Sequence, residues 1–141
     1  MTETQEERLI PNVLMEAEMQ NVLLAIEHVP TAELLADRLE RHDVTAVRVA
    51  EGEAAQRQVA DHDVLVAEAR LPGRTGLELL RRRPPLDPPV ILIGRPGNDE
   101  EVVRAFELGA ADYLTRPFAP RVAAARILRF LTFREQLSSV A

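Results

Sequence analysis

Residues 64 to 80 read VLVAEARLPGRTGLELL. The first four are an unbroken aliphatic run, Glu68 stands at its end, and a loop with proline and glycine follows. GLELLRRR (76 to 83) then has the spacing of a short helix, which must stop before Pro84 and Pro85 because the residue preceding a proline avoids the helical region. An aliphatic strand without polar alternation is buried on both faces, the condition of a parallel sheet covered by helices on each side. This stretch predicts a strand, a loop and a crossover helix.

The same unit recurs on either side of it. VLLAI (22 to 26) and AVRV (46 to 49) precede it; VILI (90 to 93) and the shorter DYL (112 to 114) follow. Helical segments separate them. TAELLADRLER (31 to 41) has Thr31 as its cap and sets Leu34, Leu35 and Leu39 on one face. GEAAQRQVA (52 to 60) is small and alanine-rich. Asn98 or Asp99 caps DEEVVRAFEL (99 to 108), which groups Val102, Val103 and Phe106 and stops at Gly109. The last helix carries Pro120 in its first turn, buries Ile127, Phe130 and Leu131, and has a pattern that runs to about Leu137. Five such units predict an α/β fold, a doubly wound five-stranded parallel sheet whose chemistry lies at the carboxyl ends of the strands. Those ends are Ile26 to His28, Glu68 to Arg70, Gly94 to Arg95 and Thr115 to Pro117. The domain is expected over residues 21 to 137, after an N-terminal extension (1 to 20) that is at most partly helical and before a short tail (138 to 141).

With 141 residues, 28% charged and 46% hydrophobic, the chain has the length and balance of one globular domain. A net charge of −6 works against direct nucleic-acid binding, which needs a clustered basic surface. The chain has no cysteine, which excludes disulfides and thiolate metal sites and suits a reducing cytoplasm. No apolar run approaches the ~20 residues that cross a bilayer, and the N-terminus lacks the apolar core of a signal peptide. The expected location is cytoplasmic, with no membrane contact.

EARLPGRTGLELL (68 to 80) and FELGAADYLTRPFAP (106 to 120), in that order and with five strands in register, resemble the receiver domain of two-component response regulators over about residues 21 to 133. The resemblance implies a flavodoxin-like (CheY-like) fold with strand order 2-1-3-4-5 and helices on both faces. It also implies a strand-end pocket in which two acids and an acceptor aspartate hold Mg²⁺, while a hydroxyl and a lysine neutralise the transferred phosphoryl group. This chain departs from that pattern at each position. The acidic pair aligns with Ile26 and Glu27, the acceptor with Glu68, the hydroxyl with Gly94 and the lysine with Arg116.

Together these changes argue against phosphoryl chemistry. Glu27, Glu68 and Arg116 sum to about −1 where the ordinary pocket carries about −2, and an oxygen ligand is missing, so Mg²⁺ should bind weakly or not at all. Glu68 carries its carboxylate roughly an ångström further out, a displacement that can cost on the order of 10²-fold in rate. Glu68 either mimics a phosphorylated aspartate or pairs with Arg116, whose planar fork suits a carboxylate, and the two readings are compatible. His28 beside Glu27 is either a metal ligand or a solvated, hydrogen-bonded histidine. The Arg81 to Arg83 run reads as the exposed end of a helix.

In the family the resemblance points to, the hydroxyl moves toward the phosphoryl group and vacates space for an aromatic three residues before the lysine. That switch aromatic is Tyr113 here, and Gly94 has no side chain to move. Tyr113 therefore either settles inward permanently or remains a half-buried strand residue. The face made by the fourth helix, fifth strand and fifth helix is where partners pack in the family, and Phe106, Glu107, Asp112 and Arg126 are its candidate contacts. Asp112 and Arg126 match positions of intersubunit ion pairs; Ala111, and Arg121 or Val122, interrupt that charge pattern. The resulting expectation is a pseudo-receiver, not an enzyme, that works without cofactors by contact with a protein partner, a fused output domain or a second copy. A small-molecule sensor and a residually phosphorylatable receiver are the alternatives.

Overall fold

The aliphatic runs all become strands; four extend by a residue into their flanks, and the first starts at Asn21 and leaves Ile26 just past its end. The computed structural model describes residues 20 to 82 and 88 to 140, with 132 to 140 described by backbone. Its elements are β1 (Asn21–Ala25), α1 (Val29–Glu40), β2 (Thr45–Val49), α2 (Gly52–Gln58), a 3₁₀ turn (Val59–Asp61), β3 (Val64–Glu68), α3 (Gly76–Arg82), β4 (Val90–Gly94), α4 (Asp99–Glu107), β5 (Asp112–Thr115) and α5 (Pro120–Val140). The sheet is parallel throughout, in the order β2-β1-β3-β4-β5. Residues 1 to 19, and with them nearly all of the expected N-terminal extension, lie outside the described residues, as do Arg83, Pro84 and Pro85.

Alternate residues of the central strands point into two apolar layers, as the two-residue period of a strand requires. Val22, Leu24, Ile26, Val66, Ile91 and Ile93 pack under α1 and α5, meeting Leu35, Leu39, Ile127 and Leu131. Leu23, Leu65, Leu92 and Tyr113 face α2, α3 and α4, meeting Ala55, Leu79, Leu80 and Ala105. Each leucine or isoleucine so buried contributes roughly 1.5–3 kcal/mol.

Four sequence expectations are corrected. The run at 46 to 49 is not buried on both faces: β2 lies at one edge of the sheet, Val47 and Arg48 are exposed, and Val49 alone of the strand is buried. The cap of α1 is His28 and not Thr31. Pro30 sits in the first turn, where its missing N–H costs nothing, so the helix starts earlier; His28 Nδ1 accepts the Thr31 backbone N–H at 3.3 Å. Leu34 is 55% exposed, leaving Ala32, Leu35 and Leu39 as the inward stripe. On α4 the inward residues are Ala105 and, in part, Val102, whereas Val103 (57%) and Phe106 (48%) face solvent.

The end of α4 falls where expected, whereas that of α5 does not. Gly109 follows α4 with φ +99°, and the Ala110 N–H to Ala105 carbonyl bond at 2.9 Å closes the helix. Ile127 and Leu131 are buried and Phe130 is partly so. α5 continues to Val140, past Leu137 and through residues expected to be a tail.

Candidate functional site

Parallel strands end together, so the loops after β1, β3, β4 and β5 converge on one rim of the sheet. Glu68, the last residue of β3, is only 15% exposed by its side chain, and a buried carboxylate needs partners. It has two. Arg116 Nη2 donates to Oε2 at 2.5 Å, and the backbone N–H of Glu27 donates to Oε1. Both oxygens are thus engaged in charge-assisted bonds, the strong class of protein hydrogen bond. The Arg116–Pro117 peptide that follows is cis.

The loop after β1 is held from the edge of the sheet. Arg48 of β2 donates Nε to the Ile26 carbonyl at 2.8 Å and Nη2 to the Glu27 carbonyl at 2.7 Å. Ile26 is fully buried in the layer under α1 and α5. Its side chain joins the core rather than lining the pocket, so it does not make the pocket wall less polar. His28 spends its Nδ1 on the α1 cap and on Thr31 Oγ1, 2.7 Å away, instead of joining Glu27 as a ligand pair. Among the described residues no three acidic or histidine side chains gather in a way that could hold a metal ion.

Gly94 and Tyr113 share one volume. A β-carbon placed on Gly94 would lie 1.7 Å from the Tyr113 hydroxyl oxygen and 2.5 Å from Cζ, so no other residue fits while the ring is there. Tyr113 is inward and 6% exposed, and its hydroxyl donates to Glu101 Oε1 at 2.5 Å. Burial foremost, then the bond to Glu101 and its charge, push the phenol well above its usual range, with Arg70 acting weakly in the opposite direction.

A cavity of about 200 Å³ opens beside Gly94 and Ile93, lined by Glu27, Glu68 and Glu101, whose charges are balanced by Arg70, Arg95 and Arg116. Glu27, Glu68 and Arg116 alone predict a net negative pocket, and the structure corrects this to a balanced one. Arg70 and Arg95, which the sequence already places at the strand ends, do not enter that sum. Glu101 was missed although it stands three residues after the cap Asn98, the spacing of a capping box. Arg48 had a signal too, as a lone charge inside an aliphatic strand.

At the start of β5, Arg126 Nη1 donates to both Asp112 carboxylate oxygens, at 3.3 Å and 3.4 Å, within the chain, and Val103, Phe106 and Glu107 of α4 and Val122 of α5 are exposed. Arg81 and Arg82 are exposed at the end of α3, as expected.

The family profile of the response regulator receiver domain matches residues 22–128. The chain belongs to that family. The receiver is 30% identical over 114 residues to the phosphate regulon transcriptional regulatory protein PhoB of Klebsiella pneumoniae, covering 77% of this chain and 50% of that protein. It is 28% identical to the alkaline phosphatase synthesis transcriptional regulatory protein PhoP of Bacillus subtilis, covering 79% and 48%. The chain spans about half the length of these relatives. Among solved structures, a putative response regulator from Chloroflexus aurantiacus matches with TM-score 0.73 at 29% identity, covering 81% of this chain and 98% of that one. The BeF₃-activated receiver domain of DrrB, a Thermotoga maritima protein, matches with TM-score 0.72 at 29% identity, covering 81% and 98%. The receiver is therefore a signalling domain of the two-component class. No described helix is long and apolar enough to cross a membrane.

Proposed function

We propose that this receiver signals by protein contact in one held conformation, without phosphorylation of an aspartate. The observation that carries the reading is the shared volume of Gly94 and Tyr113. The pocket position that would supply a mobile hydroxyl has no side chain, and the ring that would respond to its movement already fills the space. Glu68 supports the same reading. Accepting a phosphoryl group needs a free, positioned carboxylate oxygen, whereas both of its oxygens are bonded to Arg116 and Glu27. Glu68 acts first as the partner of Arg116, and only through that pair as a fixed negative charge in the phosphoryl position.

Mg²⁺ is expected to bind weakly or not at all. It requires near-octahedral oxygen ligands at about 2.0–2.1 Å. Ile26 lies in the core and offers no oxygen ligand, and both Glu68 oxygens are already bonded, one to Arg116 and one to the Glu27 N–H. No cofactor and no enzymatic activity are proposed. The partner is a protein or an output domain met through α4, β5 and α5, where Phe106, Val103 and Val122 offer apolar surface beside Glu107 and Arg126; a second copy of the chain can dock there as well. The setting is cytoplasmic, and the domain itself does not contact nucleic acid.

Intact-mass measurement after incubation with Mg²⁺ and a small-molecule phosphodonor is expected to return unmodified protein. A stoichiometric phosphoryl adduct that disappears in Glu68→Gln overturns the proposal in favour of a residually phosphorylatable receiver. A second reading, a small-molecule sensor, is favoured by the charge-balanced cavity of about 200 Å³ at the strand ends. A ligand that raises the melting temperature of the native chain but not of an Arg70→Ala variant would select it.

A further inference from the structure

Tyr113 could be kept inward by shape alone, but its hydroxyl is polar and nearly cut off from water, so it needs an acceptor. Gly94 offers no side chain. The acceptor comes from another element, Glu101 in the first turn of α4. The same carboxylate has a second task. Asn98 caps α4 by accepting the Glu101 N–H at 3.2 Å, and Asn98 Nδ2 reaches back to Glu101 Oε2 at 3.5 Å. One oxygen of Glu101 thus serves the helix cap and the other serves the tyrosine. The β-carbon of a residue at position 94 would also lie 3.0 Å from Glu101 Oε1, so glycine clears space for both groups.

We infer that Glu101 is a positioning residue that holds Tyr113 inward and ties the start of α4 to β5, in place of any side chain at position 94. The inference rests on the held conformation proposed above and names the residue that holds it. Its consequence is local: the orientation of Tyr113 and the seating of the first turn of α4 are set together, so the α4–β5 surface is presented in one form. Of the charged groups near the hydroxyl, Arg70 acts on it only through its charge, whereas Glu101 accepts its hydrogen bond; Glu27, Glu68, Arg95 and Arg116 line the neighbouring cavity.

The chain is well suited to a direct test. It holds one tyrosine, no tryptophan and no lysine, so the tyrosine ring resonances and tyrosinate absorbance report on Tyr113 alone. In the native chain the ring protons should show contacts to the Gly94 α-protons, and tyrosinate should form only well above the ordinary pKa of about 10. Glu101→Ala is expected to lose the ring contacts and to titrate near about 10 while remaining folded. Glu101→Ser is too short to reach the hydroxyl yet acceptable in a first helical turn, and should give the same result if the alanine variant fails to fold. Glu101→Gln keeps an acceptor oxygen and should retain the contacts. A folded Ala or Ser variant whose ring still touches Gly94 and still titrates high overturns the inference, as does release of the ring in the Gln variant. Neither Mg²⁺ nor a phosphodonor enters this test, so its failure is distinct from that of the phosphorylation reading.

Discussion

Tyr113 is the only side chain of this protein whose ordinary pKa lies between about 9 and 12, since there is no cysteine or lysine and arginine stays charged. The fold favours its protonated form, chiefly through burial and then through Glu101. Its contribution to stability is therefore whole below about pH 10, the ordinary tyrosine value, and is lost as pH climbs toward the raised folded value. Urea midpoints measured near about pH 8 and about pH 11 should fall in the native chain and fall less in Tyr113→Phe; equal falls would remove Tyr113 as the cause. Arg116→Ala strips one bond from a mostly buried carboxylate, and a loss of about 1–3 kcal/mol in equilibrium unfolding is expected. Arg116→Lys should recover part of it, because a lysine keeps the charge but not the fork. At this scale the sequence showed the Glu68 and Arg116 pair, since opposite charges at converging strand ends must meet. It did not show Ile26 turned into the core or Glu101 on the tyrosine, because the direction of a side chain at a strand end depends on how the loop closes.

Elements were more legible than residues, for a physical reason. Strands buried on both faces leave continuous aliphatic text, and glycine and proline mark where helices stop, as Gly109 does after α4 with φ +99°. Gly109→Ala forces a β-carbon into that left-handed conformation and should cost about 1 kcal/mol, seen as a lower denaturant midpoint with an unchanged slope. An unchanged midpoint would mean that the cap carries no weight. Helix faces were harder to read. On α4 the small Ala105 faces the sheet while Val103 and Phe106 do not, since a helix lying close to a sheet selects for size as well as hydrophobicity. The run at β2 misled in a similar way: nothing in AVRV states that the strand has a neighbour on one side only.

For the whole molecule, five βα units in sequence limit the fold to a doubly wound sheet, and the order β2-β1-β3-β4-β5 brings four strand ends to one rim. The rim is filled by internal partners: Glu68 by Arg116 and Glu27, the space at Gly94 by Tyr113, and Tyr113 by Glu101. A site satisfied in this way has little differential affinity for an incoming ion or phosphoryl group, and without such a difference no population shift follows. The most direct measurement is the amide NMR spectrum recorded without additive, then with millimolar Mg²⁺, then with beryllofluoride added. Resonances of Glu27, Glu68, Gly94 and Tyr113 are predicted to stay in place through both additions. Saturable shifts of these residues, spreading to α4 when beryllofluoride is added, would contradict the account and mark a receiver that still switches.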